Sequence, residues 1–243
     1  MKLLLISNST NSGEAYLGWP QPFIADFLAK NNVKSVLFVP YAGVGLSHES
    51  LDKSYDVYEQ RVADVFKNFD CELVSVHHFA DQVAAVNDAE CIAVGGGNTF
   101  HLVALMHSTG IMKAIREKAL SGTPFMGWSA GANVACPTLR TTNDMPIIQP
   151  ESFDCLNLVP FQINPHYLDA NPAGHGGETR QQRIEEFLII NRNIKVLGLR
   201  EASLLEVEGP VMQLKGHRPL RLFTYGNEPQ EIEVGADLSY LLA

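Results

Sequence analysis

The segment Pro124-Phe125-Met126-Gly127-Trp128-Ser129-Ala130-Gly131-Ala132-Asn133 constrains this chain more than any other. Two bulky apolar residues run into a G-x-S-x-G pattern, and small residues that can open a helix follow. Such a strand has to be buried, and the chain has to turn sharply from strand to helix around Ser129. This is the layout of a nucleophile elbow: the serine hydroxyl is exposed on a strained turn, and the flanking glycines remove the Cβ atoms that would clash there. The first N–H groups of the following helix face the same spot, so the Ala130 N–H is placed to hold an oxyanion. The pattern also arises by chance at glycine-rich strand ends, so it has to be read with the rest of the chain.

The rest is consistent with a buried parallel sheet. Leu3–Ser7, Val36–Val39, Leu73–Val76, Ile92–Val94 and Val196–Leu199 are short, nearly continuous apolar runs. Helical spacing separates most of them: Phe23, Ile24, Phe27 and Leu28; Tyr58, Val62 and Phe66; a short segment over 80–86; 111–120; and 179–190 with Ile184, Phe187 and Leu188 inward. Continuous apolar strands alternating with helices predict an α/β fold, a mainly parallel sheet flanked by helices on both faces. The tail, with Leu204–Val207, Val211–Leu214 and Leu220–Tyr225 between Gly-Pro and Gly-His turns, predicts C-terminal antiparallel hairpins added to the sheet edge. No repeat or linker interrupts the chain, so residues 1–243 read as a single domain.

Composition narrows the function. A net charge of −9 argues against a nucleic-acid partner. No run approaches the roughly 20 apolar residues of a membrane helix, and the start reads as a first strand rather than a signal segment. The four cysteines have no C-x-x-C spacing and read as reduced core thiols, which suits a cytoplasmic protein. Gly95-Gly96-Gly97-Asn98 follows a strand and opens a helix, but Phe100 stands where a dinucleotide fingerprint needs glycine, and there is no Gly-Lys-Ser/Thr. No cofactor is therefore expected. These glycines present bare N–H groups to a close partner such as an oxyanion, although a tight turn alone would also explain them. His166 ends a short strand behind Asn164-Pro165, where a general base can be held. His48, His77, His78, His101, His107 and His217 read as structural or solvated. The pair His175 and Glu178 lies among glycines that fix no ligand geometry, so no metal site is expected.

Six segments, in order, resemble the peptidase E family of α-aspartyl dipeptidases. They are Leu3-Leu4-Leu5-Ile6-Ser7-Asn8-Ser9-Thr10, Val94-Gly95-Gly96-Gly97-Asn98-Thr99-Phe100, Gly127-Trp128-Ser129-Ala130-Gly131-Ala132-Asn133, Arg140-Thr141-Thr142-Asn143-Asp144-Met145-Pro146, Gln162-Ile163-Asn164-Pro165-His166 and Gly177-Glu178-Thr179-Arg180. The resemblance runs from residue 2 to about residue 201 and weakens in the C-terminal hairpins. It implies a class I glutamine amidotransferase-like fold and a serine exopeptidase that releases aspartate from Asp-X dipeptides through an acyl-serine intermediate. It also implies Ser129 as nucleophile and His166 as base, with the Gly97 and Ala130 N–H groups as oxyanion hole.

Two family acids match as the third triad member, Asp144 and Glu201. Asp144 is preferred because the order Ser, Asp, His is known from other hydrolases. Recognition of an aspartyl side chain calls for an arginine, with Arg140 and Arg180 as candidates, and the free α-amine calls for a carboxylate, with Glu178 as candidate. The expected partner is the small dipeptide substrate, with homodimerisation left open. Two related readings remain: hydrolysis of aspartyl polymers, as in cyanophycinases, and esterase activity. A standard α/β-hydrolase is disfavoured because His166 follows Ser129 too closely for the intervening strand–helix units.

Overall fold

In a computed structural model, residues 1–171, 173–174 and 176–243 are described. The first half alternates strand and helix: β1 (Lys2–Ile6), α1 (Gln21–Lys30), β2 (Ser35–Val39), α2 (Leu51–Phe66), β3 (Glu72–Ser75), α3 (Gln82–Asp88), β4 (Ile92–Val94), α4 (Thr99–Ser108), α5 (Ile111–Leu120) and β5 (Phe125–Trp128). Local chemistry starts the helices. The side chains of Ser50, Asp81 and Asn98 accept from the N–H groups of Lys53, Ala84 and His101, filling donors that the first turn leaves open.

Strands β1 to β5 form the parallel part of a seven-stranded sheet, which β8 (Ser203–Glu208) and β9 (Val211–Gly216) extend antiparallel. The strand order is β3-β2-β4-β5-β1-β8-β9. Successive residues alternate between its two faces. Leu4, Ile6, Val36, Phe38, Met126 and Trp128 pack with Ile24, Phe27, Val62 and Phe66 of α1 and α2. Leu3, Leu5, Leu37, Val39, Val94 and Phe125 pack with Leu102, Met106 and Ile115 of α4 and α5. Both faces being covered is why these strands read as unbroken apolar runs.

A second sheet was not foreseen. β6 (Gln162–Pro165) and β7 (Val196–Leu199) pair parallel, and β10 (Leu220–Phe223) and β11 (Gln230–Ile232) continue the sheet antiparallel, in the order β11-β10-β7-β6. Of the C-terminal hairpins, only β8 and β9 join the main sheet edge; Leu220–Phe223 goes to the second sheet. Ile163, Leu197, Leu199 and Leu222 share one continuous apolar cluster with the main sheet. α7 (Arg180–Ile190), opened by a capping box of Thr179 and Gln182, brings Ile184 and Leu188 against Tyr167, Val196 and Phe223. All four cysteines are free and buried. Burial pushes the Cys71 thiol up to about 11 and that of Cys136 to about 12, so neither is a ready nucleophile. Among the described residues no helix is long and apolar enough to cross a membrane.

Candidate active site

Ser129 follows β5 directly and precedes α6 (Ala130–Asn133). Its backbone has φ 55° and ψ −112°, a left-handed conformation that a non-glycine residue keeps only when its surroundings enforce it. Those surroundings are specific. The Ser129 N–H donates to the Ile6 carbonyl of β1 (3.0 Å), and its own carbonyl accepts from Ala132 and Asn133, each at 3.0 Å. The two glycines of the G-x-S-x-G pattern are sterically required. A Cβ on Gly127 would lie 2.2 Å from the Gly131 carbonyl oxygen, and one on Gly131 would lie 2.0 Å from that of Val94. Because the α6 ladder begins with the Ala132 N–H, the Ala130 N–H is left outside it.

The glycine loop after β4 leans on the serine. A Cβ on Gly96 would sit 2.8 Å from Ser129 Cβ. Gly97 has φ +134°, and a Cβ there would meet the Ala42 carbonyl oxygen at 2.1 Å, so glycine is needed at both positions. The Tyr58 hydroxyl of α2 donates to the Gly96 carbonyl (2.9 Å). That carbonyl and the Gly97 N–H belong to one trans peptide and point in opposite directions. Fixing the oxygen toward Tyr58 therefore aims the N–H away from it. The Trp128 indole N–H in turn donates to both Tyr58 Oη and Tyr16 Oη, each at 3.0 Å. Burial raises both phenol pKa values, keeping them protonated as donors.

His166 comes from the second sheet, one residue past β6, and also has a positive φ, 53°. Its Nε2 lies 2.9 Å from Ser129 Oγ and its Nδ1 lies 2.8 Å from Glu201 Oε1. The register explains this: Pro165 pairs with Leu199, so the residues just beyond the ends of β6 and β7 emerge side by side. Ser7, at the end of β1, ties the two sheets together. Its hydroxyl donates to the Leu199 carbonyl (2.7 Å) and accepts from the His166 N–H (3.0 Å). Asn8 adds a clamp, its Oδ1 accepting from the Ala202 N–H (2.8 Å). Next to Glu201, the buried Arg200 guanidinium forks onto Asp169 at 2.8 and 2.6 Å and onto Glu231 at 2.5 and 3.2 Å, anchoring the end of β7.

The preference for Asp144 as the acid beside His166 is corrected here. Asp144 Oδ2 accepts from the Thr99 N–H (2.7 Å), the Thr99 hydroxyl (2.6 Å) and the Thr142 hydroxyl (3.0 Å), so this carboxylate is held at the N-terminus of α4. Glu201, the alternative, is the acid that meets the imidazole. Arg140 and Arg180 line a 170 Å³ pocket together with Asp144 and Asn164. Arg140 is exposed, whereas Arg180 is partly buried; burial and the like charge of Arg183 lower its pKa while Asp144 opposes the shift. Glu178 is exposed and its partner is Arg183, at 3.7 Å. His175 lies outside the described residues.

A separate 460 Å³ cavity opens over Ser129 and His166, walled by Tyr16, Leu46, Tyr58, Gly97 and Arg61. Arg61, stacked over the Tyr16 ring at 5.6 Å, was missed by sequence reasoning, as were the roles of Ser7, Asn8, Tyr16 and Tyr58. Tyr58 and Arg61 follow the helical spacing of α2 and carry no motif, so only the packing singles them out.

The family model that matches this chain is "Peptidase family S51", over residues 3–215. A protein named Peptidase E from Nostoc sp. (strain PCC 7120) is 46% identical over 241 residues, covering 99% of this chain and 96% of that protein. Another Peptidase E, from Streptomyces coelicolor, is 45% identical over 243 residues, covering 100% of this chain and 95% of that one. The crystal structure of a peptidase from an acI-B1 Actinobacterium superposes with a TM-score of 0.68 at 17% identity, covering 98% and 96% of the two chains, and shows the same fold.

Proposed function

This chain belongs to peptidase family S51 and is a peptide hydrolase, and from that premise we propose that it is a serine exopeptidase cleaving Asp-X dipeptides with the triad Ser129, His166 and Glu201. The observation that carries this reading is the imidazole of His166 set between Ser129 Oγ at 2.9 Å and Glu201 Oε1 at 2.8 Å. His166 Nε2 takes the serine proton as Oγ attacks the scissile carbonyl, and Glu201 holds the Nδ1–H tautomer and stabilises the imidazolium. The oxyanion falls to the N–H groups of Gly97 and Ala130, each worth about 3 kcal/mol of barrier. His166 then returns the proton to the departing amine. Water, deprotonated by the same nitrogen, hydrolyses the aspartyl-serine ester.

The two pockets divide the substrate. On the acyl side, Arg180 supplies the cation for the aspartyl carboxylate, with Arg140 at the exposed rim. Asp144 replaces Glu178 as the acceptor of the α-ammonium: among the described residues its three hydrogen bonds all fall on Oδ2, leaving Oδ1 for a ligand. On the leaving-group side, the 460 Å³ cavity takes the X side chain, and Arg61 takes the free C-terminal carboxylate, which favours dipeptides over longer chains. Four buried thiols suit action in the cytoplasm.

The test is release of the amino-terminal residue from Asp-Leu, Glu-Leu, Asn-Leu and Ala-Leu by the protein and by Ser129→Ala, with EDTA present. Turnover of Asp-Leu alone, lost in Ser129→Ala and indifferent to EDTA, is expected. Turnover of Ala-Leu at a comparable rate would refute the aspartyl assignment.

A further inference from the structure

On the far side of α2 from Tyr58 and Arg61, two carboxylates meet two imidazoles. Asp56 and Glu59 are three residues apart and so share one face of the helix. His77 and His78 come from the tight turn Val76–His78 that follows β3. One donor atom from each of the four lies within 4.8 Å of the other three. His78 Nε2 is 2.6 Å from Glu59 Oε2, and His77 Nε2 is 3.1 Å from Asp56 Oδ1. The two rings lie with centroids 3.9 Å apart, so two imidazolium charges here would repel at close range.

We propose that Asp56, Glu59, His77 and His78 form a binding site for a divalent transition cation of the zinc class, which pins α2 to the β3 corner. Two imidazole nitrogens and two carboxylate oxygens are a donor set for zinc, cobalt or nickel, whereas calcium and magnesium prefer oxygen alone. A tetrahedral zinc with bonds of about 2.1 Å spaces its ligand atoms roughly 3.4 Å apart. The observed 2.6 to 4.8 Å spread brackets that value, and the half-exposed side chains of His78 and Asp56 have room to adjust.

Supporting contacts already orient the ligands. Ser75 engages two of them at once: its hydroxyl lies 2.6 Å from His77 Nδ1, and its N–H donates to Glu59 Oε1 at 2.8 Å. With Nδ1–H given to Ser75, the His77 Nε2 lone pair is turned toward the cluster, as in metal-bound histidines whose other ring nitrogen donates to an oxygen. His77 is nearly buried, with Tyr55 edge-on at 5.6 Å. Lys53 sits on the other oxygen of Asp56, Oδ2, at 3.0 Å, so Oδ1 remains for the cation. Because α2 also carries Tyr58 and Arg61, the cation would brace one wall of the catalytic cavity while touching no reacting atom.

The test is zinc binding by the full-length protein, measured by titration calorimetry and metal analysis after dialysis. Glu59→Gln, which keeps an acceptor for the Ser75 N–H, and His78→Gln, at a half-exposed position, are compared with it. His166→Ala reports zinc captured by the catalytic histidine. The proposal expects about one zinc per chain, an upward shift of the melting temperature by several degrees, affinity lowered at least about tenfold in both Gln variants, and affinity kept in His166→Ala. Absence of stoichiometric binding, or binding that both Gln variants retain in full, would overturn it. Each variant's circular dichroism and peptidase activity without zinc show whether it has folded.

Discussion

Replacing Glu201 by glutamine tests the site most sharply, because Asp144→Asn is its natural counterpart. The Glu201 carboxylate touches His166 Nδ1 at 2.8 Å, which puts the charge centres of the carboxylate and the imidazolium formed during attack roughly 4 Å apart. At an effective dielectric of about 20 that is worth about 4 kcal/mol. The two side chains are 39% and 44% exposed, so water screens the pair and roughly half survives, about 2 kcal/mol. Glutamine keeps a hydrogen-bond acceptor for Nδ1–H and loses the charge, so the expected fall in kcat is about 30-fold. Asp144→Asn keeps an oxygen for Thr99 and Thr142 and leaves His166 untouched, so it should raise KM for Asp-Leu with kcat changed little. The rate of Ser129 labelling by a small fluorophosphonate separates the two further, because it needs the base and no aspartyl recognition. Glu201→Gln should slow labelling and Asp144→Asn should not. Labelling slowed by Asp144→Asn and unaffected by Glu201→Gln would refute the assignment.

Two further outcomes follow from the packing. Tyr58→Phe removes the hydroxyl that holds the Gly96 carbonyl and so loosens the aim of the Gly97 N–H; kcat should fall about tenfold with KM nearly constant, and a rise in KM at constant kcat would contradict it. Gly131→Ala drives a methyl to 2.0 Å from the Val94 carbonyl oxygen, which should cost about 2 kcal/mol or more and lower the melting temperature by roughly 5 °C, whereas Gly45→Ala, with open space around it, should leave the melting temperature unchanged.

What was legible in the sequence was what local chemistry decides. The buried runs of β1, β2 and β4 and the amphipathic spacing of α2, α5 and α7 depend on neighbours along the chain. The elbow does so only in part: Gly127 is dictated by the Gly131 carbonyl of the same strand–turn–helix unit, whereas Gly131 answers to Val94 of the neighbouring strand β4. The partition of strands between two sheets was not legible, because β7 is as apolar as β4 and nothing in a short strand names its partner. For the same reason the preference for Asp144 over Glu201 rested on chain order alone, which says nothing about which carboxylate a parallel register brings beside His166. Tyr58 and Arg61 look like ordinary helix residues until the glycine loop and the elbow are folded against them.

The division of the site between two sheets has a consequence for the growing chain during synthesis. The elbow around Ser129 is complete once β5 lies between β4 and β1, yet His166, the base proposed for it, is not then in place. His166 emerges later, Glu201 later still, and Ser7, near the very start, joins them only when β7 reaches the Leu199 register. The return of β8 to pair with β1, Lys2 opposite Glu208, and the pairing of β10 with β7 draw on still later parts of the chain. With the roles proposed above, a chain that ends before Glu201 would carry a serine hydroxyl without its base and acid in place, and hydrolysis would wait until β1 of one sheet and β7 of the other have met.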